Sequence, residues 1–178
     1  VALLIPVMVT TFYAIHRHYD RVADALSTRG MTSENITEVA DVVVIPIADV
    51  HRGTVLAIEY AKRISNDVRV LSVTTSPEME ERLHRRWNRF PEITGDVRLI
   101  TIEYDYRDIL NPVVDYIEKL NTEEFPHQLT TVVVPEFIPE HRIEQILHNQ
   151  SANRLRWRLK EHKDIVIIDV PFHIDSQL

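Results

Sequence analysis

The sequence predicts an α/β domain built on a doubly wound, five-stranded parallel sheet. Five β-branched runs recur along the chain, segments of helical length and period separate them, and the first run is continuous instead of alternating. Continuous apolar runs suit strands buried on both faces. Strands alternating with helices make βαβ units, with helices on both faces of one sheet.

Residues 1–15 carry no charge and fall short of the roughly 20 apolar residues that span a bilayer. Ile15, Tyr19, Val22 and Leu26 then follow helical spacing, and Gly30 is a helix stop. His16, Arg17, His18 and Arg21 flank the apolar run as basic residues do on the cytoplasmic side of a membrane. Residues 1–30 are therefore expected to be a juxtamembrane segment, the end of a membrane helix followed by an amphipathic one. A buried N-terminal helix is the alternative. After a linker, residues 38–178 form the α/β domain.

The first strand is the run Asp41–Ile47; the others are Val68–Thr74, Val97–Ile102, Leu129–Val134 and Ile165–Val170. Between them, Thr54–Ser65 places Val55, Ile58 and Ala61 on one face. Pro77–Phe90 opens with Ser76 as N-cap and Pro77 at the first helical position. Tyr106–Leu120 carries Ile109, Val113, Tyr116 and Ile117, and Ile138–Leu159 reads as a long helix broken near His148-Asn149-Gln150. Right-handed crossovers leave few topologies, and the strand order 3-2-1-4-5 is expected among them. A ligand cleft in such a sheet lies beyond the carboxyl ends of the strands where the order reverses, at the loops after strands one and four.

Composition narrows the chemistry. With three glycines there is no glycine-rich phosphate loop, and with no cysteine there is no thiolate chemistry, disulfide or cysteine zinc site. A net charge of −7 argues against DNA or RNA as partner. Glu140-His141 lacks a second histidine four residues on, Asp105 and Asp108 read as helix caps, and no nucleophile elbow is present. The chain is expected to bind rather than catalyse, with no metal.

The loop after strand one, Ala48-Asp49-Val50-His51-Arg52-Gly53-Thr54, combines a guanidinium fork, a glycine for close backbone approach, and Thr54 as cap of a helix whose first amides are unpaired. After strand four, His148-Asn149-Gln150-Ser151 interrupts an apolar pattern, and Arg154 follows one turn into a helix starting at Ser151. The two segments are expected to converge on one anion-binding pocket.

Ile15-His16-Arg17-His18-Tyr19, Pro46 with His51-Arg52-Gly53-Thr54, Val132-Val133-Val134-Pro135-Glu136-Phe137 and Leu147-His148-Asn149-Gln150-Ser151-Ala152 together resemble the cytosolic tail of KimA-type bacterial potassium importers, a branch of the amino-acid permease superfamily. That tail is similar to the universal stress protein fold. The resemblance covers nearly the whole chain. It implies a dimeric regulatory domain on the cytoplasmic face of a bacterial membrane, attached to its own transmembrane transporter portion, that binds cyclic di-AMP and inhibits proton-coupled potassium uptake. Asn149-Gln150-Ser151 stand where universal stress proteins carry a glycine-rich phosphate loop, so the site departs from that pattern and is compatible with a cyclic ligand. The expected nucleotide-binding set is Pro46, Asp49, His51, Arg52, Gly53, Thr54, Val73, Thr75, His148, Asn149, Gln150, Ser151 and Arg154, with adenine near Pro46 and Val73. ATP or AMP binding, and a ligand-free dimerisation tail, are the alternatives.

Overall fold

The computed structural model describes residues 4–29, 31, 37–104, 109–139 and 150–174. The chain divides into two units, Val1–Ile36 and Thr37–Leu178. The first holds one helix, α1 (Leu4–Ala25), which runs unbroken through the apolar stretch and the basic flank and buries no residue. Its Leu4, Val9, Phe12, Tyr13 and Tyr19 are all exposed. Among the described residues, no helix is long and apolar enough to cross a membrane.

The second unit contains β1 (Val39–Ile47), α2 (Arg52–Ile64), β2 (Val68–Thr74), α3 (Pro77–Trp87), the single turn α4 (Pro91–Thr94), β3 (Arg98–Glu103), α5 (Leu110–Lys119), β4 (Leu129–Pro139), α6 (Gln150–Leu159) and β5 (Ile165–Ile174). All strand pairs are parallel and the order is β3-β2-β1-β4-β5, as the alternation predicts. Every residue of β2 is buried, the polar Arg69, Ser72 and Thr74 along with the apolar four.

The alternation of side chains divides the core into two layers. Ile45, Val70 and Val133 face α2 and α3 through Ala57, Ile58, Ala61, Leu83 and Trp87. Val42, Val44, Leu71 and Val132 face α5 and α6 through Val113, Ile117, Leu155 and Leu159. Thus α2 and α6, which carry the two halves of the expected site, cover opposite faces of the sheet.

Three boundaries differ from the sequence reading. Ile138 belongs to β4 and does not open a helix: β4 continues to Pro139 and pairs with β5 up to Pro139↔Ile174. Register with β1 runs only as far as Val44↔Val132. Beyond it, one edge of β4 needs no ladder donor, so Pro135 and Pro139 fit. Helix α3 starts at Pro77 with the Ser76 side chain accepting from the Met79 amide, but it ends at Trp87. Pro91 disfavours helical backbone at Phe90, which sits at φ −128°, ψ 58°. Finally, α5 is described from Leu110, so Tyr106 lies outside the described residues, and Leu120–Glu124 extends it as one π turn. That turn brings Glu124 to Arg69 of β2, whose Nη1 and Nη2 donate at 3.0 and 2.7 Å while Nη2 also meets Asp67 at 2.7 Å.

Candidate functional site

At the carboxyl end of β1 the chain turns through Ala48, Asp49 and Val50 into α2. His51 has extended backbone (φ −144°, ψ 176°), the conformation of an N-cap, and its Nδ1 accepts from the Thr54 amide at 3.1 Å. Thr54 is therefore not the cap expected from the sequence. The cap falls three residues earlier, at His51, and Thr54, fully buried in the first turn, donates from Oγ1 to the Asp49 carbonyl at 3.0 Å. Asp49 accepts from the Val50 amide at 2.8 Å and pairs through Oδ2 with Arg86 of α3. The loop is thus tied at both ends, to α2 and to α3.

The His51 ring lies edge to face with Phe137 of β4, 4.3 Å between centroids, and Phe137 meets Phe172 of β5 the same way at 6.3 Å. Gly53 sits under this cluster. A Cβ there would lie 3.2 Å from Phe137 Cε1 and 3.3 Å from Phe172 Cβ. The close approach that Gly53 permits is that of two aromatic side chains. Burial pushes the His51 imidazole below its ordinary pKa, against the weaker opposing pull of Asp49.

On the other face of the β4–β5 extension, Glu136 and Asp169 point towards α6. Arg156 spans them, with Nε donating to Asp169 at 2.6 Å, Nη2 at 3.3 Å from Glu136, and Nη1 donating to Asn153 at 2.6 Å. The extension therefore has the start of α2 packed on one side and α6 on the other. Sequence reading missed this ribbon, although the period-two alternation of Glu136 with Phe137, and of Asp169 with Phe172 beyond it, was the available signal.

The remaining expected residues are distributed as follows. Arg52 is exposed in the first turn of α2 and makes no hydrogen bond or ion pair among the described residues. Pro46 is half-buried at the end of β1, Val73 is buried in the α5–α6 layer, and Thr75 is exposed just beyond β2. Gln150 and Ser151 open α6, and Arg154 is exposed one turn in. His148 and Asn149 lie outside the described residues. No hydrogen bond or ion pair joins Arg52 or Thr54 to Arg154; α2 and α6 approach the strand ends from opposite faces.

This arrangement can present charge at the strand ends from two directions. A turn pinned by His51, Thr54 and Asp49 displays Arg52 beside the first amides of α2, and α6 displays Arg154 across the β4–β5 ribbon. A relative, the potassium transporter KimA of Bacillus subtilis (strain 168), is 34% identical over 174 residues. The match covers 97% of this chain and 28% of that protein, so the chain spans less than a third of its relative's length. The family described as the KimA potassium transporter C-terminal domain matches residues 38–172, which run from just before β1 to Phe172 near the end of β5. The chain belongs to the KimA potassium transporter C-terminal domain family.

Proposed function

We propose that this chain is the cytosolic regulatory domain of a bacterial proton-coupled potassium transporter, and that it binds cyclic di-AMP at a dimer-associated cleft to inhibit transport. One observation carries the ligand reading. Arg52 extends into solvent, without a partner among the described residues, from the first turn of a helix at the point where the strand order reverses. Unpaired helix amides and a planar guanidinium suit a phosphodiester. The ligand is held between two copies in this reading, since a two-fold ligand matches an isologous interface that duplicates each contact. A ligand that prefers one arrangement of the paired domains shifts the attached membrane portion towards it. ATP or AMP would use the same groups.

A second reading, a ligand-free dimerisation tail, is favoured by Gly53. Its Cα face is covered by Phe137 and Phe172, which is packing and not a phosphate cradle. Calorimetric titration with cyclic di-AMP, repeated with ATP and AMP as competitors and with Arg52→Ala, separates the readings. Heat that ATP and AMP do not displace, weakened about tenfold or more in Arg52→Ala through loss of a charge-assisted contact, supports the proposal. No heat with any nucleotide supports the ligand-free tail and ends the ligand reading.

A further inference from the structure

The outer face of α6 carries an indole and a guanidinium that the fold leaves unused. Trp157 is 67% exposed, whereas the second tryptophan, Trp87, is packed in the core. Trp157 makes no ring contact or hydrogen bond among the described residues. Three arginines surround it in sequence. Arg156 is bound to Asp169, Glu136 and Asn153, and Arg158 donates to Asn111 at 3.0 Å. Among the described residues Arg154 has no hydrogen bond or ion pair, and it lies three residues before Trp157, the spacing that puts two side chains on one helix face. On a chain of net charge −7 with 27 acidic residues, an arginine with no acidic partner among the described residues, beside a bare indole, is a selective pairing. The two groups together match a ligand with an anionic group and a flat ring.

We infer that Trp157 is a base-stacking residue, and that Arg154 and Trp157 form a purine nucleotide subsite in which the indole carries the base and the guanidinium the adjoining phosphate. The inference rests on the nucleotide reading above and adds to it the side chain that holds the base. Stacking on an exposed indole tolerates any purine, because every base has a π face. The phosphate contact supplies the preference for nucleotide over free base.

Tryptophan emission and calorimetry, followed together during titration of the chain with cyclic di-AMP, test this. Emission should be quenched with the same midpoint as the heat. The quench should persist in Trp87→Phe and vanish in Trp157→Phe. Trp157→Ala should weaken binding by about tenfold or more, and Trp157→Phe, which keeps a ring, by less. Trp157 is on the surface, so its variants fold. Heat without a Trp157 quench, or wild-type affinity in Trp157→Ala, overturns the stacking assignment and leaves the nucleotide reading standing. No heat at all removes both. A Trp157 emission change that follows protein concentration, and not nucleotide, also overturns it, because the indole then belongs to a contact between copies.

Discussion

Replacing His51 tests how the turn that displays Arg52 is held. Two interactions are lost in His51→Ala. The first is the N-cap bond from the Thr54 amide to Nδ1 at 3.1 Å, for which substitution by alanine costs about 1 kcal/mol. The second is the edge-to-face contact with Phe137 at 4.3 Å, which contributes about 1 kcal/mol beyond its buried area. The expected loss is about 2 kcal/mol, a fall of roughly 6 °C in midpoint for a domain of this size. His51→Asn restores a good cap without the ring, so it should lose only about 1 kcal/mol. Protonation adds a pH signature. Burial holds the folded imidazole below the ordinary value of 6.5, so the unfolded chain takes up the proton first as pH falls. Stability is then full above the unfolded value and declines as pH drops through it towards the lower folded value. Protonation also removes the Nδ1 lone pair that accepts from Thr54. Urea unfolding of wild type, His51→Ala and His51→Asn at pH 8 and pH 5.5 measures all of this, and both variants should lose part of the pH dependence. If His51→Asn is as damaging as His51→Ala, or if Ala costs less than about 0.5 kcal/mol, the cap does not stabilise the turn and the reasoning fails.

Arg69→Ala should cost about 3 kcal/mol, the low end for breaking a buried ion pair, because Glu124 is half exposed and solvent screens it; thermal unfolding should show a midpoint about 9 °C lower. Hydrogen bonds from Arg69 hold the Glu124 carboxyl below its ordinary range, and at Asp67 those from Arg69 and Arg98 outweigh the upward push of burial. The corresponding stability is present above the unfolded values of 4.5 and 3.8 and is lost as pH falls below them, so an acid titration of Arg69→Ala should show a shallower slope. Gly53→Ala should cost about 1 kcal/mol, because the crowding against Phe137 and Phe172 exceeds the gain in helix propensity. In a Phe137→Leu background the same change should cost less, which a double-mutant cycle in urea measures.

Much of the fold was legible along the chain. The runs at 68–74 and 129–134 became interior strands because each carries apolar residues on both sides of its pleat, and order 3-2-1-4-5 is one of the few topologies that alternation with right-handed crossovers leaves. Ser76-Pro77 marked the start of α3, since both the cap bond and the proline's preset φ are local properties. Other features depended on a partner distant in sequence. Strand β4 runs to Pro139 because β5 offers a matching edge that far, and a strand's end is set by its neighbour's hydrogen bonds as much as by its own residues. His51 displaced Thr54 as cap because the turn after β1 left His51 extended, with its ring seated on Phe137. The residues at 52 and 154, expected from the sequence to converge on one pocket, are exposed on helices that cover opposite faces of the sheet. That separation was decided by the tertiary structure, because β1 to β2 and β4 to β5 run in opposite directions across the sheet, and right-handed crossovers of opposite direction put α2 and α6 on opposite faces.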